Sequence, residues 1–304
     1  KGKTIGTYPD MCDNHKKISP IRSFINPSRK AMPIQTDILR VLTETSRTFA
    51  IPITNLPGQL GETISIAYLC MRALDEIEDH VSLENQVKVD LLRKISEKLQ
   101  AYSFPGVISK FNQLGKVLAP YRLILPEVTL RLEEWLSNAP IDIAPRLVDA
   151  SACIADRMAF WADRNWLIQS ELDLNSYTFS VAGAVGLLIS DIWAWFDGSQ
   201  LDRVCAVNFG RGLQSVNILR NRDEDLQRNV DFFPTGWSSK KMSAYAHRHL
   251  DLVKPGIKLM PEKAYEYLIS LENTVSQVSE LLKASPDRLS ERITALQNQL
   301  KDLQ

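Results

Sequence analysis

The 304 residues carry 36 basic and 36 acidic side chains, and 44% are hydrophobic. That balance leaves no bulk field to attract a nucleic acid, and the length suffices to bury a sizeable core. The cysteines Cys12, Cys70, Cys153 and Cys205 lack C-x-x-C spacing, which fits free thiols in a reducing chain better than a disulfide or zinc framework. A cytoplasmic location is expected.

Residues 1–34 hold seven Lys/Arg against two Asp, with Pro9, Pro20, Pro27 and Pro33 and little periodicity, and are expected to form an irregular basic arm. An arm of this charge can also touch acidic membrane headgroups. The chain opens at Lys1 without a secretory apolar stretch, as a trimmed or processed product does. From Thr36 the pattern turns helical: Ile38, Leu39, Leu42 and Phe49, then Ile64, Ala67, Tyr68, Met71 and Leu74 recur at three- and four-residue steps. A helix over about 83–102 is predicted with Ser82 as N-cap, ending before Pro105. Further helices are predicted over about 126–138, 145–169, 173–196, 201–228, 239–253 and 260–284, so residues 35–284 read as one all-α domain without strands or an internal linker. The apolar run Phe179–Ser190 falls short of the ~20 residues a membrane span needs, so no transmembrane segment is expected. Residues 285–304 open on Ser285-Pro286-Asp287 and carry Leu289, Ile293, Leu296, Leu300 and Leu303, an amphipathic C-terminal helix expected to dock on its own domain, with pairing to a partner helix the alternative.

Two polar segments interrupt this apolar pattern. In the first, Asp75, Glu78 and Asp79 fall on adjacent turns of an otherwise apolar helix. Like charges so placed repel unless cations neutralise them, and carboxylates gathered this way suit Mg²⁺, which takes one or two carboxylates together with substrate phosphates. The second carries Asn217, Asn221 and Asp225 at four-residue spacing, with Glu224 projecting beside Asn217 two turns earlier. Two polar helix faces of this kind can oppose each other.

With Ser46-Arg47-Thr48-Phe49, with Tyr177 leading into Val181-Ala182-Gly183-Ala184-Val185-Gly186, with Gln214 and Arg220 around Asn217, and with Phe233-Pro234, these segments stand in the order found in the squalene/phytoene synthase family, which the chain resembles over residues 40–237. The resemblance implies a single-domain class I isoprenoid (terpenoid) synthase helical bundle with a central cavity. It implies a prenyltransferase that condenses two prenyl diphosphates of the farnesyl or geranylgeranyl type head to head through a cyclopropyl intermediate. It implies Mg²⁺ held by Asp75, Glu78, Asp79, Asn217, Asn221, Glu224 and Asp225, and diphosphate contacts from Ser46, Arg47, Arg72, Gln214 and Arg220. Tyr177 and Tyr68 become the expected catalytic aromatics, and Phe49, Phe179 and Gly183 the expected cavity wall. Asn221 stands where family members usually carry Asp, which removes a formal charge that Glu224 can restore. That change leaves open an alternative, in which one prenyl diphosphate is ionised and the cation cyclises or passes to a non-isoprenoid acceptor. NADPH use is left open too, since reductive members of the family lack the G-x-G-x-x-G signature that this sequence also lacks. A helical binding protein without activity is the third reading, and the retained acids Asp75, Asp79 and Asp225 speak against it.

Overall fold

The structure is a computed structural model that describes residues 34–46, 49–101 and 113–253. The basic arm, Arg47, the 260–284 helix and the C-terminal amphipathic helix lie outside the described residues. Within them the chain is helical and, among the described residues, contains no strand. The helices are α1 (Ile34–Thr45), α2 (Ala50–Thr54), α3 (Gly58–Glu78), α4 (Asn85–Gln100), α5 (Leu114–Leu118), α6 (Glu127–Leu130), α7 (Leu132–Ser137), α8 (Ala144–Asp163), α9 (Glu171–Thr178), α10 (Ala184–Asp197), α11 (Arg203–Gln227) and α12 (Ser239–Asp251).

Helix α3 is the axis of the bundle. Its apolar positions go nearly all the way round, and it packs against α1, α6, α7, α8 and α10 with Leu60, Ile66, Leu69, Leu74 and Ile77 fully buried. A helix apolar on every side belongs inside. Arg72, Asp75, Glu76 and Glu78 stand at its C-terminal end, so the core and the first acidic segment lie on one continuous rod. Helix α11 begins at Asp202, whose carboxylate accepts from the backbone N–H of Val204 at 2.8 Å and Cys205 at 3.0 Å, and it runs 25 residues to the second acidic segment.

The predicted 173–196 helix is longer and less regular than its pattern. Ser170 and Asp173 form a reciprocal capping box at the start of α9, and Phe179–Gly183 is wound as one π-turn that joins α9 to α10. The resulting rod, Glu171–Asp197, is long and apolar enough by length and composition to cross a membrane. Here it packs against α3, α8 and α11, and Val181, Val185, Ile189 and Trp193 line a cavity. Glycines permit the crossing with α11: a Cβ on Gly186 would sit 2.2 Å from the Ala206 carbonyl oxygen, and one on Gly210 2.3 Å from that of Ala182. Backbone cannot yield as a flexible side chain can. Gly210→Ala is therefore expected to cost ~2 kcal/mol or more by forcing the rods apart, whereas Gly115→Ala, whose Cβ would meet only the Glu133 carboxylate at 3.4 Å, should be near neutral. Urea-unfolding midpoints of the two variants test this.

Several boundaries differ from the sequence pattern. Helix α4 starts after Glu84, in extended conformation, and not at Ser82. The 126–138 segment breaks at Arg131 into α6 and α7, because the backbone there leaves helical geometry. The 145–169 segment ends at Asp163, since Asn165 and Trp166 both adopt left-handed φ of 52° and 50°. Asn85 holds that turn by donating to the Asn165 side chain at 2.8 Å and to the Ala162 carbonyl.

Helix α12 closes on α11 through a buried histidine. His249 Nδ1 lies 2.7 Å from the Asn208 Oδ1, which accepts, because the Asn208 amide donates at 2.9 Å to the Val204 carbonyl; the ring's Nε2 has no partner among the described residues. Burial, with Arg211 and Arg248 nearby, pushes the imidazole down to about 4. A histidine held neutral by the fold stabilises it above the unfolded pKa of ~6.5, and that contribution is lost as pH falls toward 4. Melting temperature should drop through this window by a few degrees, corresponding to ~1–2 kcal/mol after discounting for solvent screening. His249→Gln should flatten the drop.

Candidate active site

A single cavity of about 1280 Å³ lies between α3, the α9–α10 rod and α11. Its wall is apolar in depth, with Ile53, Leu56, Ile64, Met71, Val185 and Phe209 among the lining side chains. Its mouth is polar. Asp75 and Asp79 reach it from α3, and Gln214, Asn217, Arg220, Asn221, Glu224 and Asp225 reach it from α11. The two segments thus face each other across one opening, because the four-residue spacing keeps each set on one side of its helix.

Glu78 does not join its neighbours. Asp75 and Asp79 differ by about 40° around the helix, whereas Glu78 is turned about 100° from Asp79. Glu78 is 3% exposed, and its carboxylate accepts at 2.7 Å from the indole Nε1 of Trp166. Burial, then the charge of Asp79, pushes its pKa well up. The left-handed turn at Asn165 and Trp166 is what delivers that indole. Lys88 completes the arrangement: its ammonium donates to the Glu78 backbone carbonyl at 2.7 Å, lies over the Trp166 ring and lines the mouth. Burial, then the charge of Arg228, pushes its pKa down.

The remaining predicted residues divide as follows. Arg72 lines the mouth and pairs with both Asp75 and Glu76. Burial followed by the charge of Asp79 raises Asp75, while Arg72 opposes the shift. Arg220 donates from Nη2 to the Asn217 Oδ1 at 2.9 Å and from Nε to the Asn221 Oδ1 at 3.0 Å, so both amide oxygens are engaged by a cation. Ser46 does not reach the cavity lining: it is buried, and its hydroxyl caps α2 by accepting from the N–H of Phe49 and Ala50, each at 2.9 Å. Phe49 and Tyr68 line the wall as a tilted pair with ring centres 6.3 Å apart, and the Tyr68 hydroxyl donates to the Thr45 carbonyl at 3.3 Å.

Tyr177 lines the cavity between Trp161, edge-on at 5.7 Å, and Phe232, stacked at 4.8 Å. Burial, then the carboxylates of Glu78, Asp79 and Asp75, pushes its phenol well up, so it stays protonated. Phe179 and Gly183 are corrected outward. The π-turn rotates Phe179 off the cavity, to lie under Arg157 at 5.2 Å and Arg211 at 5.7 Å, and Gly183 instead accommodates Val207 of α11. Trp193, not among the sequence-predicted site residues, lines the cavity while fully buried. Arg228, three residues past Asp225, is a charged mouth residue that spans both acidic segments. Its spacing was the available signal.

Among the described residues, no three His, Cys, Asp or Glu side chains lie close enough to hold a metal ion by themselves. Paired carboxylates on one wall and amide oxygens with acids on the other still fit Mg²⁺, which completes its shell with water and substrate oxygens.

The chain is similar to known proteins in sequence and in fold. The chain is 28% identical over 256 residues to the squalene synthase of Schizosaccharomyces pombe, covering 80% of this chain and 52% of that one. It is 28% identical over 269 residues to that of Saccharomyces cerevisiae, covering 82% and 55%, and 29% identical over 250 residues to that of Homo sapiens, covering 77% and 56%. It thus spans about half the length of the curated relatives it matches. The fold superposes on the ligand-bound structure of TcSQS with a TM-score of 0.62 at 20% identity, covering 86% of this chain and 85% of that one. A ligand-bound dehydrosqualene synthase follows with a TM-score of 0.56 at 16% identity, covering 88% and 95%. With the two polar helix ends facing each other over an apolar cavity, and with the family model of squalene/phytoene synthase matching residues 42–295, the chain belongs to the squalene/phytoene synthase family.

Proposed function

We propose that this chain is a Mg²⁺-dependent prenyltransferase that condenses two prenyl diphosphates head to head. The observation that carries the reading is the joining of one charged mouth to one large apolar cavity. At about 1280 Å³, the cavity exceeds the ~300–1,000 Å³ usual for a pocket holding one small ligand, as two hydrocarbon chains require.

The roles follow from charge and shape. Asp75 and Asp79 on one wall, with Asn217, Asn221, Glu224 and Asp225 on the other, would hold Mg²⁺, which would supply positive charge to the diphosphate leaving group. Arg72 and Arg220 add fixed positive charge at the same mouth. The allylic cation left behind is attacked by the double bond of the second prenyl chain, and loss of a proton closes the cyclopropane ring. Tyr68, Phe49 and Tyr177 present ring faces that stabilise a cation without trapping it, and the apolar depth excludes water. Tyr177, held protonated, is placed to relay the departing proton toward the diphosphate by giving up its own as it accepts.

A second reading has one observation in its favour: the amide oxygens of Asn217 and Asn221 are both engaged by Arg220, which weakens that wall as a metal site. In that reading one cation cyclises or is captured by a different acceptor. Incubation with prenyl diphosphates of three chain lengths, with and without NADPH, followed by mass spectrometry of the products, separates the two. A dimeric C30 or C40 hydrocarbon or cyclopropyl diphosphate supports condensation. A cyclic or acceptor-bound product of one chain, with no dimer at any length, rejects it.

A further inference from the structure

Two acidic helix ends meeting at an opening should repel, yet in this molecule they are drawn together by a side chain. Arg228 donates from Nη1 to the Asp79 carboxylate at 2.9 Å and to the Asp79 backbone carbonyl at 3.0 Å, while its Nη2 pairs with Asp225. One planar guanidinium therefore ties the C-terminal end of α3 to the C-terminal end of α11 across 149 residues of sequence. The contact is half sheltered: the Asp225 side chain is 8% exposed and that of Arg228 25%.

We propose that Arg228 is a built-in counter-ion standing where a divalent cation would bridge the two walls, so that the mouth takes up free metal weakly until a diphosphate arrives. Charge balance supports this. Among the described residues, the carboxylates lining the mouth are Asp75, Asp79, Glu224 and Asp225, and the cations lining it are Arg72, Lys88, Arg220 and Arg228. Asp202 also lines the cavity, but at the far end of α11. The formal charges cancel, and a free divalent ion gains no net attraction. A diphosphate brings several negative charges, gives the guanidinium a second anion to pair with, and releases Asp79 and Asp225 to the metal. Guanidinium suits the post because its planar fork can serve two oxyanions at once and it keeps its charge at every working pH. Arg228 is in this account a positioning residue acting through Asp79 and Asp225. The inference deepens the proposed function and rests on its metal site, though not on which prenyl product forms.

Protein-bound Mn²⁺, measured by equilibrium dialysis with and without inorganic pyrophosphate, tests it on wild type, Arg228→Gln, Arg228→Lys and Asp75→Asn. Wild type should bind Mn²⁺ at least tenfold more tightly with pyrophosphate than without. Without pyrophosphate, Arg228→Gln should bind Mn²⁺ at least tenfold more tightly than wild type, a change of ~1.4 kcal/mol, and Arg228→Lys should stay within threefold of wild type. A purely structural role predicts the opposite sign, because loosening the two walls disperses the ligands. Equal or weaker Mn²⁺ binding by a folded Arg228→Gln overturns the proposal. If that variant does not fold, wild type decides alone: affinity indifferent to pyrophosphate overturns it. Failure of the counter-ion is separable from failure of the metal site. Pyrophosphate-dependent binding lost in Asp75→Asn, with no gain in Arg228→Gln, removes only the counter-ion, whereas no bound Mn²⁺ in wild type under either condition removes both.

Discussion

Asp75→Asn and Asp79→Asn are each expected to lower turnover by at least two orders of magnitude while leaving the fold in place. The magnitude follows from what is removed. Ionisation of an allylic diphosphate depends on charge placed where negative charge develops, and deleting one such preorganised group typically costs ~10²–10³ in rate. The stability half has its own sign. Burial and the charge of Asp79 raise the Asp75 carboxyl, so the fold disfavours its ionised form, and that part of its cost grows as pH rises through its ordinary range. Asparagine removes this penalty, and Arg72 retains Glu76 as a partner. Asp79 is about half exposed, and its carboxylate pairs with Arg228. Both variants should thus melt within a few degrees of wild type, with Asp75→Asn at or above it at pH 7. Turnover within threefold of wild type in both variants would reject these carboxylates as the metal-holding pair.

The division between what the residues announced and what they concealed has a physical basis. Helical class and most helix spans are readable because an apolar stripe at three- and four-residue steps is a local signal, strong in α3, α8 and α12. The two polar helix ends are readable for the same reason, as breaks in that pattern. Features decided by partners distant in sequence are not. Glu78 looks equivalent to Asp75 and Asp79 until Trp166, 88 residues away, takes its carboxylate. Ser46 has the composition of a ligand-binding serine and the position of a helix cap, and only the path of the chain into α2 decides between them. Phe179 would face the cavity on a regular α-helix; the π-turn inserts one residue, and the ring leaves. Arg228 could have been found from its i,i+3 relation to Asp225, but its second partner, Asp79, belongs to another helix.

Tyr177→Phe is expected to reduce kcat by about 10²-fold or more with little change in KM, at nearly unchanged stability. Phenylalanine keeps the volume and the ring contacts that hold this position: the stack on Phe232 at 4.8 Å and the edge-on contact with Trp161 at 5.7 Å. What it removes is one hydroxyl on the cavity wall. General acid–base relays of this kind are worth ~10²–10⁴ in rate, and losing one acts after binding, so substrate affinity should hold. The neighbouring carboxylates sharpen the expectation. With Glu78, Asp79 and Asp75 raising the phenol's pKa beyond what burial does, the hydroxyl is a donor throughout the working pH range and cannot stand as a free phenolate base. Loss of activity in Tyr177→Phe should therefore be a constant factor across neutral pH, with no new titration near 7. Product identity gives a further check: a cation formed but not relieved of its proton should be trapped by water, so the variant should release more prenyl alcohol per diphosphate consumed. Turnover within threefold of wild type, with unaltered products, would assign Tyr177 to the wall alone and leave proton removal to the diphosphate.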